Sequence, residues 1–244
     1  LEKADYKFCE KFFGYLTSIK SCKTNGANKQ IQRVKKIINF AIRAGYIQTN
    51  LTAAFSLHFT PVRKIALTQE EINIITKLPL QRDTLRLVRD AFIFQCYTGL
   101  SYSDIKGLKK GHIYTDAKQS LWIKMERQKT KVAFSVPLLK TAADLLNKYL
   151  LAAADREFIF PILSNQKMND NLKIIQEIAG INKNLTTHLA RHSFATTITL
   201  NNDVPIETVS KMLGHTNIRT TQLYAKVLDV KIGEDMSKLK TKLM

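Results

Sequence analysis

Clear alternation of apolar and polar residues occurs in one stretch of this 244-residue chain, Gln119 to Pro137. Leu121, Ile123 and Met125 alternate with Trp122, Lys124 and Glu126, the period of a half-buried strand. A polar turn around Gln128 to Lys131 leads to Val132, Phe134 and Val136, which alternate again, so the stretch reads as a hairpin. Elsewhere apolar residues recur at helical spacing. The fold class that follows is mainly α with a small antiparallel β-sheet.

In chain order, Ala4 to Ile19 carries an apolar stripe of Phe8, Phe12, Phe13, Tyr15 and Leu16 among lysines, a helix. Thr24-Asn25-Gly26 reads as a break. A second helix follows with Ile31, Val34, Ile37, Ile38, Ala41 and Ile42, ending at Gly45. Its other side is basic, and a solvated face is the plain reading of those charges. Leu51 to Leu57 is a shorter helical piece. His58 to Lys64, with Pro61 and basic residues, lacks periodicity. Thr68-Gln69-Glu70-Glu71 is a capping box opening the next helix. The expected organisation is a helical domain over 1–60, a linker over 61–66 and a larger domain over 67–244. Within the latter, helices are expected over Leu85 to Tyr97, Ser101 to Leu108, Leu138 to Ala152, Asn169 to Ala179, Leu185 to Leu200, Pro205 to Leu213 and Ile218 to Val227. Met236, Leu239 and Leu243 form an intermittent apolar stripe in the tail.

Composition narrows the function classes. Net charge is +18, which points to a polyanionic partner, most simply nucleic acid. A basic protein kept soluble by its charge is the bland alternative. Three cysteines without CxxC spacing argue against a disulfide framework and a zinc site, and fit a reduced cytoplasmic compartment. No apolar run approaches the roughly 18 residues of a membrane span, and no secretory signal is visible. The chain opens on Leu1 rather than Met, as an excised fragment would.

The densest chemistry lies between Thr187 and Tyr224. His188 and Arg191 are three apart in a helical pattern and share one helix face. His215 follows a glycine break, and Tyr224 lies beyond it, a possible nucleophile beside a group of cations. Read alone, Ser210 to Tyr224 also suits a helix-turn-helix that would bind DNA without cutting it. Tyr224 alone would be a core or surface tyrosine.

Taken together, four ordered blocks resemble the tyrosine recombinase (phage integrase) family over about residues 65 to 230. Tyr97-Thr98-Gly99-Leu100 matches the segment leading to the family's first catalytic arginine. Gln128-Lys129-Thr130 with Val136-Pro137-Leu138 matches its lysine-bearing hairpin. His188-Leu189-Ala190-Arg191-His192-Ser193-Phe194-Ala195-Thr196 matches its His-x-x-Arg box. Leu213-Gly214-His215 and Tyr224 match its final histidine and nucleophile. The resemblance implies a helical core-binding domain followed by a catalytic domain that cuts and rejoins DNA strands without metal or nucleotide cofactor. Tyr224 would form a 3′-phosphotyrosyl bond, releasing a 5′-hydroxyl. Arg191, His188 and His215 would meet the charge on the phosphoryl oxygens. Lys129 would protonate the leaving oxygen; a plain turn lysine is its alternative. His192 is expected to be structural.

One position departs from the pattern. Ser101 stands where the family has an arginine, and a hydroxyl supplies neither the charge nor the fork of a guanidinium. Arg127 is the favoured replacement: two residues before Lys129 on an extended strand, it would point the same way. Arg89 and Lys106 are less favoured, and a surface arginine paired with Glu126 or solvent is the alternative for Arg127. In the first domain, Lys29, Arg33, Lys36 and Arg43 are the candidate DNA contacts. The implied partners are double-stranded DNA at a specific attachment site, a homotetramer joined through the C-terminal tail, and accessory DNA-bending or excision proteins, with no membrane. A bacterial, nucleoid-associated location follows. The Tyr97 to Asp104 run resembles integrases of conjugative or mobilizable transposons from Bacteroides-type bacteria. A Xer-like housekeeping recombinase, a type IB topoisomerase and a catalytically dead DNA-binding regulator are the competing expectations.

Overall fold

The structure is a computed structural model that describes residues 4–60, 65–153 and 156–224, and in the tail 233, 236, 237, 239–241 and 243. It divides into two compact units, Leu1–Arg63 and Lys64–Met244. Residues 61–64 of the expected linker, and 225–227 of the expected last helix, lie outside the described residues.

The first unit is built on α1 (Tyr6–Gly14) and α2 (Thr24–Arg43). Asp5 caps α1 by accepting from the Phe8 amide at 2.8 Å. The helix runs on through a wider turn, Tyr15–Ile19. Cys9, Leu16, Ala27, Ile31, Ile38 and Ala41 are buried and form the unit's core. Two expectations fail here. Thr24-Asn25-Gly26 is the first turn of α2 rather than a break. The Ala27 amide donates to the Lys23 carbonyl at 3.0 Å, the i→i−4 bond of an ordinary helix. Asn25, a frequent turn residue, instead reaches out to Thr60 and donates to its carbonyl at 2.8 Å. Leu51 to Leu57 forms turns and no helix. The Asn50 side chain accepts from the Thr52 amide at 3.0 Å, and Lys35 Nζ donates to the Phe55 carbonyl at 2.6 Å. A side chain and a distant lysine thus occupy the backbone groups that a helix would pair.

The second unit is organised on α4 (Asp83–Thr98), whose Val88, Ala91, Phe92, Ile93, Phe94 and Cys96 are all buried. Burial all round places a helix at the centre of its domain. Each buried large side chain contributes about 1.5–3 kcal/mol. Around it pack α3 (Gln69–Lys77), α6 (Lys140–Leu151), α7 (Asn165–Ala179) and α8 (Thr187–Ser193). The Phe94 and Phe160 rings meet at 4.7 Å. The capping box of α3 forms as the sequence suggests: Thr68 accepts from the Glu71 amide at 3.2 Å and Glu71 from the Thr68 amide at 2.7 Å. The charged tie between α4 and α6 is Asp90, which accepts from Lys148 at 2.6 Å and Tyr149 at 3.1 Å.

After α5 (Tyr102–Lys106) comes an antiparallel sheet in the order β1-β2-β3, with β1 at Ile113–Thr115, β2 at Leu121–Glu126 and β3 at Ala133–Pro137. Ile123 pairs with Val136 and Met125 with Phe134, and all four face the core. The sheet therefore has one strand more than the expected hairpin. β1 is too short to show a period. It is turned back by Asp116, whose carboxylate accepts from the Ser120 amide and Trp122 Nε1, both at 2.9 Å.

Several helix ends shift. α6 starts at Lys140, because Pro137 closes β3 and the Leu138 amide still donates to Leu121 at 2.8 Å. α7 starts at Asn165, capped by Ser164. α8 passes into a wider turn at Phe194–Thr199 and a tight one at Leu200–Asn202. α9 (Ile206–Met212) and α10 (Arg219–Gln222) follow. Met236, Leu239 and Leu243 are exposed. Among the described residues no helix is long and apolar enough to cross a membrane.

Candidate active site

The site is assembled around Arg191. Thr186 caps α8, accepting from the Leu189 amide at 3.1 Å, and five residues on Arg191 points inward with 4% exposure. Its Nη1 donates to the Gly99 carbonyl and its Nη2 to the Leu213 carbonyl at 2.6 Å. Both carbonyls lie at helix ends, where backbone acceptors lack partners in the helix itself. Glycine geometry exposes them. Gly99 ends α4 with φ +68°, and a Cβ there would sit 2.5 Å from Phe194 Cδ1. Gly214 ends α9 with φ +60°. The Gly214 amide donates to Lys211 and the His215 amide to Ser210, each at 3.0 Å, a helix stop that needs a left-handed residue. The same stop delivers His215 beside Arg191.

His215 Nε2 lies 3.2 Å from Arg191 Nη2 and Nδ1 lies 2.8 Å from Thr221 Oγ1. An arginine has only donors, so Nε2 accepts and the proton sits on Nδ1. Burial, then the positive charges of Arg191 and Arg127, push the imidazole pKa down to about 4, so His215 is neutral at pH 7. Arg191 is itself pushed down to about 10 by burial, with Arg127 adding to the effect. Tyr224 is 8% exposed. Its ring lies nearly parallel to that of His215, at 14° and 6.3 Å between centroids. Burial raises its pKa, while Arg191 and Arg127 pull in the opposite sense.

Arg127 reaches this cluster, but not along an extended strand. β2 ends at Glu126, and Arg127 opens the turn: its amide donates to Val132 and its carbonyl accepts from Lys131, each at 2.9 Å. Its side chain is 13% exposed and paired with Asp104, not with Glu126 or solvent. The guanidinium also lies 5.6 Å over the Phe134 ring. A Cβ on Gly214 would come within 2.8 Å of Arg127 Cγ, so the glycine leaves the gap that the arginine fills. Lys129, two residues on, is exposed in the turn; the two side chains do not share a strand face.

His188 is exposed, its ring edge-on to His192 at 4.2 Å. His192, expected to be structural, lies between His188 and Tyr224, 4.9 Å from the tyrosine ring. Arg89 bonds Asp90 and the Leu78 carbonyl, and Lys106 lies over the Tyr102 ring at 5.9 Å; those are the partners of the two less favoured replacements. Ser101 caps α5. Its hydroxyl donates to Asp104 at 2.6 Å, and its amide donates to the same carboxylate at 3.1 Å. Asp104 is the site residue that the sequence reading missed. The Ser101-x-x-Asp104 capping spacing was its one visible sign. Lys29, Arg33, Lys36 and Arg43 are all exposed and, spaced by four, three and seven, share one face of α2 in the first unit. Among the described residues no group of three or more His, Cys, Asp or Glu could hold a metal ion.

Two guanidiniums, a neutral imidazole and a buried phenol thus converge from four separate segments. The phage integrase family model matches residues 66–230, and a phage integrase SAM-like domain model matches residues 1–57. The chain belongs to the phage integrase family, the tyrosine recombinases. It is 30% identical over 215 residues to the tyrosine recombinase XerD of Lacticaseibacillus casei, covering 81% of this chain and 70% of that protein. With tyrosine recombinase XerA of Thermococcus kodakarensis the identity is 30% over 192 residues, covering 73% of this chain and 64% of the relative. Among solved structures, XerH recombinase bound to a palindromic difH substrate after cleavage superposes with a TM-score of 0.78 at 16% identity, over 98% of this chain and 74% of that one. A lambda integrase dimer bound to a COC′ core site gives 0.75 at 20% identity, over 93% and 83%. The Tn1549 transposon integrase with its right-end DNA gives 0.71 at 16%, over 98% and 87%.

Proposed function

We propose that this chain cuts and rejoins double-stranded DNA at a specific site, for integration and excision of a mobile element. The observation that carries this is the convergence of Arg191, Arg127, His215 and Tyr224. Tyr224 attacks the scissile phosphodiester. The Tyr224 O–P bond forms as the P–O5′ bond breaks, so the backbone bond energy is kept in a 3′-phosphotyrosyl link. Arg191 and Arg127 meet the charge that gathers on the phosphoryl oxygens. As Arg191 turns its Nη2 from His215 to the phosphate, the freed Nε2 of the neutral imidazole takes the phenol proton, and once protonated it donates to a phosphoryl oxygen. His188 supplies a further donor from its exposed position. Lys129 gives a proton to O5′. Reversal on a second strand completes the exchange.

The basic face of α2 contacts phosphates through Lys29, Arg33, Lys36 and Arg43. The exposed Met236, Leu239 and Leu243 join neighbouring copies into a tetramer on DNA. Accessory DNA-bending or excision proteins set the direction.

The test is covalent trapping on a nicked suicide substrate carrying a candidate attachment site. Wild type forms an adduct through the peptide containing Tyr224, and Tyr224→Phe forms none. An adduct that survives Tyr224→Phe, or none with either protein, removes the assignment. The Xer names of the sequence relatives favour a second reading, a housekeeping recombinase. Recovery of the bound DNA separates the two: the ends of a mobile element support the first, a single fixed chromosomal locus the second.

A further inference from the structure

We propose that the turn between β2 and β3 delivers two catalytic cations as one body, Arg127 from its base and Lys129 from its tip, with the Asp104 carboxylate as the clasp. The proposal rests on the DNA-cleavage reading above and assigns Asp104 a positioning role within it.

The clasp is double. One carboxylate oxygen of Asp104 takes the Arg127 guanidinium, and the other accepts from the Gln128 amide at 3.1 Å. A single side chain on α5 thus grips the side chain of one turn residue and the backbone of the next. Asp104 is 1% exposed and is itself held by Ser101, at 2.6 Å from its hydroxyl and 3.1 Å from its amide. The turn is short: the bonds between Arg127 and Val132 and between Lys131 and Arg127, both 2.9 Å, confine Gln128 to Thr130. Two residues of chain span at most about 7 Å, so Lys129 cannot be placed independently of Arg127. Arg191 by contrast is held by carbonyls of Gly99 and Leu213, outside the hairpin. Releasing the clasp therefore removes the hairpin's guanidinium and its proton donor together, and leaves Arg191 in place.

That separates two kinds of defect. As the Tyr224 O–P bond forms and the P–O5′ bond breaks, a proton passes from Lys129 Nζ to O5′. With sulfur in place of O5′, the leaving thiolate needs no proton, whereas the charge on the non-bridging oxygens still needs its arginines. The experiment measures single-turnover adduct formation on suicide substrates with bridging oxygen and with bridging 5′-sulfur. Lys129→Ala falls by about 10²-fold or more on oxygen and returns close to wild type on sulfur. Asp104→Asn falls by about 10²- to 10³-fold on both while DNA affinity stays near wild type, and the thermal midpoint drops because the Arg127 guanidinium loses its buried counter-charge. Asp104→Glu keeps the charge but moves the clasp by one methylene, so it shows an intermediate loss on both substrates. If Asp104→Asn unfolds the protein, Asp104→Glu carries the test. Rescue of either Asp104 variant by sulfur, or wild-type cleavage of the oxygen substrate by Asp104→Asn, overturns the shared delivery. Absence of a Tyr224 adduct from wild type on both substrates overturns the cleavage reading first, and the proposal with it.

Discussion

Arg191 and Arg127 reach one site by opposite routes. Arg191 is built into the core on α8 and satisfied by neutral groups, the carbonyls that end α4 and α9. Among the described residues no carboxylate forms an ion pair with it, and burial lowers its pKa to about 10 although the Asp104 charge opposes the shift. Arg127 comes in on a turn and is opposed by the Asp104 carboxylate; burial lowers its pKa while Asp104 works to raise it. The contrast separates charge from shape. The Arg191 region supplies a positive charge held by neutral carbonyls, which an incoming anion can neutralise. The hairpin supplies a guanidinium whose charge is already partly used, so its value lies in the donors that Asp104 leaves free and in where they point.

The largest effect expected is at Arg191. Arg191→Ala should reduce covalent adduct formation by about 10³-fold or more, the scale of a lost transition-state arginine. It should also lower stability, because the Gly99 and Leu213 carbonyls lose their donors, at about 1–3 kcal/mol for each buried group left unpaired. Single-turnover trapping and chemical denaturation measure the two losses. A variant that loses cleavage with no stability change would mean that the carbonyl frame does not depend on the arginine.

Arg127→Lys comes next and divides the hairpin's two contributions. An ammonium can keep the ion pair with Asp104 but cannot reproduce the planar fork. Stability should stay close to wild type while cleavage falls by about 10²-fold. Equal loss with Arg127→Ala and no loss with Arg127→Lys would show that charge alone is what the hairpin brings, and the contrast with Arg191 would close.

Gly214→Ala should act on both regions through one methyl group. The left-handed backbone at φ +60° costs a side chain about 1–2 kcal/mol. The new Cβ would meet Arg127 Cγ at 2.8 Å, so the arginine must shift. Cleavage should fall by more than the loss in stability explains, with Arg191 still in place. Comparing adduct rates with thermal midpoints, and then with the Arg127→Ala, Gly214→Ala double variant, checks this. If the double variant is as impaired as the product of the two singles, Gly214 acts elsewhere than on Arg127.

The two regions also differ in how far the sequence revealed them. Arg191, His215 and Tyr224 were linked by the resemblance of four ordered blocks, since Tyr224 read alone is an ordinary tyrosine, and the structure brings the three side chains together. Arg127 was legible as a residue but not as a geometry. Strand alternation was carried one residue too far, past the point where the Arg127 amide bonds Val132 and the turn begins. Asp104 was hidden because its spacing from Ser101 is also that of a helix cap, and it fills both roles. The same cause runs through the fold. β1 is too short for a period to show. Asn25 looked like a turn residue because its distant partner, Thr60, is not local in sequence. Local pattern fails where a side chain from far along the chain takes over a backbone group.

The smallest effect sharpens the comparison on the Arg191 side through His215. Its pKa is depressed from 6.5 to about 4 by burial and by the two arginines, so between those values the unfolded chain binds more protons than the folded one. Stability contributed by neutral His215 is thus complete above pH 6.5 and is lost progressively as pH falls towards 4. Denaturation midpoints of wild type should drop between pH 7 and pH 5 by more than those of His215→Gln. A bound phosphodiester reverses the electrostatics, since a negative charge beside the ring favours its protonated form. With cognate duplex present the same acid loss should therefore shrink or vanish for wild type and stay unchanged for His215→Gln. Equal pH profiles with and without DNA would mean that the phosphate does not sit against His215, and that the charge of Arg191 is aimed somewhere else.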